Sequence, residues 1–134
     1  MNVRAIEHSE FEVARQLLIL NGWQDRVGDA EDFRKLCGRS QVVLVAVEGG
    51  EILGFLRALS DGISNGYIAM VVVAQQHRGK GVGRALVQAA MAGAANMTWV
   101  LRAGRPGVSG FYEKLGFTRS SVAMERPREK SADL

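Results

Sequence analysis

Cysteine is almost missing from this chain of 134 residues: Cys37 stands alone. That excludes an internal disulfide framework and any cysteine-rich zinc site, and it fits a reducing compartment. Cys37 itself reads as ordinary helix packing. Nor does any apolar run approach the roughly 20 residues that a membrane helix needs, and the amino end opens polar and charged. Neither a signal peptide nor a bilayer anchor is therefore expected, and the cytoplasm is the expected location. An excess of one charge is also lacking. Lys and Arg outnumber Asp and Glu by only 17 to 14 and are spread along the chain, which argues against bulk nucleic-acid binding and favours a local anionic ligand. There is no internal repeat and no low-complexity segment. What the chain does have is 47% hydrophobic residues, enough for one continuous core. A single domain over residues 1–125 and a polar tail over 126–134 are expected, rather than two independent domains.

Local patterns divide the chain further. Asn2–Glu7 alternates as a first strand, and Ser9-Glu10-Phe11-Glu12 forms a capping-box pattern that opens an apolar helix through Leu20. Asn21-Gly22 ends that helix, a loop carries Trp23, Asp25 and Arg26, and Asp29 caps a second helix to about Cys37. Gln41–Glu48 and Glu51–Leu59 are rich in β-branched and apolar residues, with Gly49-Gly50 between them, and read as an antiparallel hairpin. Asp61-Gly62 and Asn65-Gly66 bracket another turn. Gly66–Val73 ends in a nearly all-apolar run, as a strand covered on both faces does. A helix from Gly81 to about Ala95, a short strand at Met97–Leu101, a short helix at Ser109–Leu115 and a last strand at Phe117–Glu125 complete the reading. The sum is a mixed α/β domain, with a largely antiparallel sheet, a parallel element near its middle and helices on its faces.

The segment that carries chemistry is Gln75-Gln76-His77-Arg78-Gly79-Lys80-Gly81-Val82-Gly83-Arg84, between a buried strand and a helix start. Glycines at alternate positions let the backbone turn tightly and approach a ligand closely. Their N–H groups, with the first amides of the helix, can converge on phosphate oxygens, and Arg78, Lys80 and Arg84 add positive charge. Spacing narrows the phosphate ligand. No Gly-Lys is followed by Ser or Thr, so a nucleotide-triphosphatase loop is unlike it, and the last glycine of the dinucleotide fingerprint is replaced by Arg84 or Leu86.

The pattern Arg78-x-x-Gly81-x-Gly83 resembles the acyl-CoA pyrophosphate motif of the GNAT superfamily of N-acetyltransferases. About thirty residues on, Gly110-Phe111-Tyr112-Glu113-Lys114-Leu115-Gly116-Phe117 is similar to the second signature of that superfamily. The resemblance covers nearly the whole chain, the first 40 residues in pattern only. It implies a GNAT-like α/β fold, with a mostly antiparallel twisted sheet of about six to seven strands, a parallel pair at its middle and about four helices. It implies acetyl-CoA as co-substrate, with no metal. The pantetheine arm is expected along Val71, Val72 and Val73, and the pyrophosphate on main-chain amides from Arg78 through Gly79, Lys80, Gly81, Val82 and Gly83 to Arg84.

The reaction so implied is direct attack of a neutral amine on the acetyl thioester, with Tyr112 in the position of the general acid. A phenol with an ordinary pKa near 10 is protonated at neutral pH and can donate to the departing thiolate. Two residues depart from the family pattern. Met70 stands where many relatives carry a basic carboxylate, leaving Asp61, Glu51 and His77 as candidate bases, and Gln75 stands where proline is common. Trp23, Arg26, Asp61 and Tyr67 are expected to line the acceptor pocket. Asp61 there would favour an amine, whereas Arg26 or Arg102 would favour a carboxylated acceptor. The leading expectation is a small-molecule amine or amino-acid-like acceptor, with no nucleic acid and no membrane as partner. The alternatives are a peptide or protein amino-terminal acceptor, a coenzyme-A-binding sensor without catalysis, and a ligand-free structural domain. A homodimer is compatible with the resemblance.

Overall fold

Gly49 and Gly50 take φ of +57° and +78°, the paired left-handed conformations whose twist matches that of two antiparallel strands. They join β2 (Val42–Glu48) to β3 (Glu51–Ser60). β1 (Asn2–Ala5) pairs antiparallel with β2, β4 (Asn65–Val73) antiparallel with β3, and β5 (Thr98–Leu101) parallel with β4. The five strands lie in the order β1-β2-β3-β4-β5. The structure is a computed structural model, and it describes residues 1–92 and 96–129. The chain divides into two units, Met1–Arg102, which holds the whole sheet, and Ala103–Leu134.

Side chains alternate between the faces of a sheet, so each face can bury its own helices. On one face Val45, Phe55, Met70 and Val72 pack with residues of α1 (Phe11–Leu20), α2 (Gln24–Val27) and α3 (Ala30–Gly38), among them Leu18, Val27, Phe33 and Cys37. The other face receives α4 (Val82–Ala90), whose Val82, Leu86 and Val87 are buried. Gly54 permits that approach. A Cβ placed on it would stand 2.9 Å from the carbonyl oxygen of Val72 and 3.0 Å from side-chain carbons of both Val82 and Leu86.

The ends of these elements are fixed by side chains. Asp29 caps α3 by accepting from the Asp32 amide at 2.8 Å. The capping pattern before α1 falls two residues earlier than the sequence suggests. Glu10, rather than Ser9, organises it, closing a short 3-10 turn by accepting from the Glu7 amide at 2.8 Å. The same carboxylate takes two parallel 2.8 Å bonds from the Arg4 guanidinium, tying β1 to the start of α1. Between β3 and β4, Asp61 accepts from the amides of Ile63, Ser64 and Asn65 and from the Ser64 hydroxyl.

In the second unit, α5 (Val108–Glu113) follows Gly107, and Tyr112 packs edge-on against Phe111 and Phe117.

The mixed α/β architecture and the parallel pairing are as the sequence suggests, with four corrections. The sheet has five strands rather than six to seven. Phe117–Glu125 forms no strand, because the Ser120 hydroxyl accepts from the amides of Val122 and Ala123 and bends the backbone in the middle of the segment. The parallel pair lies at an edge of the sheet, not at its middle, since β5 has no further strand beyond it among the described residues. Among the described residues five α-helices replace about four, because the loop after Asn21 contains the single turn α2. α4 ends at Ala90, and the part of the helix expected over 93–95 lies outside the described residues, as do residues 130–134 of the expected tail.

Gly54→Ala should lower stability by about 1–3 kcal/mol, the usual cost of forcing an atom into a filled core. Chemical denaturation reads this directly, and an unchanged midpoint would contradict the close approach of α4. A second expectation concerns acid. Hydrogen bonds from Arg15 and Gln16 hold the Glu12 carboxyl at about 2, below its ordinary 4.5. A folded-state value below the unfolded one contributes stability above the unfolded pKa, and that contribution is lost as pH falls toward the folded pKa. Glu12→Gln should therefore flatten the decline in Tm between about pH 5 and about pH 2, and an identical acid limb in the variant would refute the assignment.

Candidate functional site

β4 has two edges with different fates. Along β3 it is paired from Gly66 to Val73, with one extra residue, Ala69, bulged between the Ile68–Ala58 and Met70–Arg57 pairs. Along β5 the ladder covers only Asn65 to Ile68 and stops with Leu101. From Ala69 to Val73 the outer edge of β4 is thus unmatched by β5. Val72 points into the core, and Val71 and Val73 are half-buried. A segment of extended chain or an amide-bearing arm could bond to such an edge.

The chain leaves β4 through a 3-10 turn, Gln75–His77, and then makes the glycine loop. Gly79 and Gly81 take φ of +77° and +83°, and a Cβ on either would meet nothing within 4 Å. The requirement there is conformational, since left-handed backbone is costly for any residue with a Cβ. Gly83 differs from its neighbours. It is a buried residue in the first turn of α4 and does not take a positive φ. Gly81 is the N-cap and has no side chain to offer the helix. The first amide of the region with an acceptor is that of Ala85, which donates to the Gly81 carbonyl at 3.0 Å. The amides of Gly79, Lys80, Gly81, Val82, Gly83 and Arg84 donate to no group among the described residues. Six consecutive N–H groups at a helix N-terminus form a strong anion receptor, and the exposed side chains of Lys80 and Arg84 add charge beside it.

Arg78 is used differently from the other two cations. Its Nε donates to the Val73 carbonyl at 3.2 Å and its guanidinium bonds the Asn21 side-chain oxygen at 2.5 Å. Arg78 therefore fastens the loop to the end of β4 and to the C-terminus of α1. Asn21, which the sequence marks only as a helix stop, is part of the site's support through this bond.

The residues expected around the acceptor are divided. Tyr67 is half-buried on β4, on the same face as Met70 and Arg57: Arg57 lies opposite Met70, Leu59 lies opposite Tyr67, and Arg57 and Leu59 are two apart on β3. Trp23 packs against the core cluster. Arg26 is exposed on α2. Asp61 spends its carboxylate on its own turn, and those hydrogen bonds, the Ser64 hydroxyl first among them, hold it far below the usual carboxylate range. A carboxylate so satisfied is a poor proton acceptor. His77 and Glu51 hold one another at 2.9 Å. Met70 is buried in the core. In the second unit Tyr112 is buried, and burial raises its phenol above the ordinary value of 10.

One cation escapes the sequence reading altogether. Arg57 is half-buried, donates to the Ser40 hydroxyl at 3.0 Å, and has an Nε sealed from solvent without a partner. No pattern in the sequence distinguishes it from the other arginines, because its isolation depends on what β4 and α3 bring beside it.

The comparisons agree with this geometry. The family model of the GNAT acetyltransferase domain matches residues 39–119, more than half of the chain. A solved structure from Xanthomonas campestris pv. campestris, described as belonging to the GNAT acetyltransferases, is 22% identical with a TM-score of 0.78, covering 96% of this chain and 94% of that one. The ribosomal-protein-alanine N-acetyltransferase of Brucella melitensis biovar Abortus 2308 is 18% identical with a TM-score of 0.74, covering 96% of this chain and 98% of that one. An aminoglycoside 6'-N-acetyltransferase complexed with coenzyme A is 24% identical with a TM-score of 0.58, covering 67% of this chain and 53% of that one. No curated protein matches the chain significantly. The family match covers both glycine-rich signatures as well as β2 to β5, and the chain belongs to the GNAT superfamily of acyl-CoA-dependent acetyltransferases.

Proposed function

We propose that this protein transfers the acetyl group of acetyl-CoA to a primary amine of a small-molecule or amino-acid-like acceptor by direct attack. The observation that carries the coenzyme half of the proposal is the run of six amides from Gly79 to Arg84 without acceptors among the described residues. They suit the pyrophosphate of coenzyme A in number, charge and direction. Lys80 and Arg84 neutralise its charge from outside, and the edge of β4 past Ile68, unmatched by β5 and with only its Val73 carbonyl taken up by Arg78 among the described residues, suits the amides of the pantetheine arm. Arg78 contributes by position, keeping the loop against Val73 and Asn21.

The coenzyme supplies an activated acyl group as a thioester. In the transfer the amine nitrogen bonds to the acyl carbon as the carbon–sulfur bond breaks, the sulfur leaves with the bonding pair, and a proton must reach it. Tyr112 is the proposed donor. Its raised pKa keeps the hydroxyl protonated across the neutral and mildly alkaline range. No base is assigned to the chain. Met70 cannot accept a proton, Asp61 is satisfied by its turn, and Glu51 and His77 are paired with each other. The acceptor amine is proposed to lose its proton to solvent before it attacks, so kcat/KM should rise with pH along the titration of each acceptor.

The departure at Met70 also favours a second reading, a coenzyme-A-binding protein without turnover. Acetyl-CoA consumption across an amine panel separates the two. Catalysis predicts saturable turnover that Tyr112→Phe reduces about a hundredfold or more in kcat, with the Kd for coenzyme A unchanged. Binding without turnover in the wild type would establish the sensor. The amide cradle has its own test. Gly81→Ala places about 1–2 kcal/mol of left-handed strain on the N-cap, and relief of that strain turns amides away from the ligand. Calorimetry should show a Kd for coenzyme A weakened about tenfold. Lys80→Ala, which leaves the amides in place, should cost less. A folded Gly81→Ala protein that binds as tightly as wild type would remove the basis for the assignment.

A further inference from the structure

Half-buried arginines elsewhere in the first unit have carboxylate partners. Arg4 makes two bonds to Glu10, and Arg15 makes two to Glu12. Arg57 has none. Its only hydrogen-bonding partner among the described residues is the neutral Ser40 hydroxyl, which passes the contact on by donating to the Leu36 carbonyl at the end of α3. Of the five N–H donors of a guanidinium, most are therefore unspent. The Nε is shut off from solvent with no acceptor, an arrangement that costs stability unless something repays it. Burial lowers the Arg57 pKa, while Cys37 and Tyr67 are near enough to act on it electrostatically.

The position of this cation matters as much as its isolation. Arg57 is the cross-strand partner of Met70 at the β4 bulge, and it shares a sheet face with Met70 and Tyr67. By the family resemblance, Met70 stands where many relatives carry a basic carboxylate. A carboxylate there would sit beside Arg57, and in this chain the guanidinium is left with its charge unanswered at the inner end of the open β4 edge.

We infer that Arg57 binds the carboxylate of the acceptor, so that the acceptor is an amine carrying a carboxylate, as in a free amino acid. A guanidinium presents paired N–H donors in a plane, and a carboxylate presents two oxygens at matching separation, so the pair fixes orientation as well as affinity. The inference rests on the acetyl-transfer reading for the site's use, but binding of the carboxylate can be measured without turnover.

The test uses the full-length protein saturated with coenzyme A and a panel of free amino acids, each alongside the amine that lacks its carboxylate. The Arg57 Nε–H resonance is assigned by its loss in Arg57→Lys, and its shift is followed through each titration. At least one amino acid should move that resonance saturably, while its decarboxylated counterpart at the same concentration should not. With acetyl-CoA, the same amino acid should be the better substrate. Arg57→Gln should then raise its KM about tenfold to a hundredfold, leaving the KM for acetyl-CoA and the rate with the decarboxylated amine in place. Arg57→Lys should recover part of the loss.

A resonance that no amino acid moves would overturn the inference, as would one that moves on addition of coenzyme A alone, which would make the anion a phosphate of the coenzyme. Variants that lose thermal stability and nothing else would make Arg57 a brace for the end of α3. If the resonance responds to amino acids but no acetyl group is transferred, the inference stands and the catalytic reading falls.

Discussion

Main-chain hydrogen-bonding capacity that the fold does not consume is the constraint around which β4, the glycine loop and α4 are arranged. Buried strand edges and the first amides of a helix need partners from the chain, from water or from a ligand. β4 meets the first requirement on its β3 side and, past Ile68, leaves it open toward β5. α4 begins at a glycine that has no side chain to cap it. The two open stretches are separated by a 3-10 turn and a short loop, so one long polar ligand can serve both. Placing them on one continuous segment of chain means that binding along the strand and binding at the helix reinforce each other without any movement of the scaffold.

The scaffold holds this segment from two sides. On one face, α4 lies close to the sheet because Gly54 has no Cβ to keep Val82 and Leu86 away. That fixes the direction in which the first turn of α4 points. Beneath the loop, Arg78 spends its guanidinium on the Val73 carbonyl and the Asn21 side chain, so a residue that motif reasoning assigns to the ligand acts on the loop's own position. The structure separates the roles of the motif's residues within the fold. Amides and geometry belong to Gly79 and Gly81, packing belongs to Gly83, and anchoring belongs to Arg78.

Much of this was legible in the sequence, and what was legible was local. Gly49-Gly50, Asp29 with its helix, and the strand–loop–helix unit at residues 65–90 were all readable because their signals lie within a few residues of one another. What escaped was decided at longer range or by competition between near-equal choices. Ser9 suits a cap, yet the box closes between Glu7 and Glu10, whose carboxylate Arg4 of the first strand also bonds. Phe117–Glu125 has the composition of a strand, yet the Ser120 hydroxyl satisfies two amides locally. Gly54 looks like any glycine within a strand, and Arg57 like any arginine, until α4 and β4 are placed beside them. The glycine loop was legible because its signal lies in consecutive residues. The acceptor side was not, because it is assembled from side chains far apart in sequence.

The sheet order itself has a kinetic consequence. Every strand lies beside its neighbour in the chain; helices separate β1 from β2 and β4 from β5, whereas the β2–β3–β4 meander requires only short loop closures. Folding rates rise as contacts become more local, and such a meander can assemble one strand at a time as the chain leaves the ribosome. The crossover through α4 to β5 comes last within the first unit, and its hand is fixed by the same twist that governs other parallel connections. Synthesis thus delivers a nearly finished β platform before the coenzyme loop exists, and the ligand-gripping junction forms on a surface already in place.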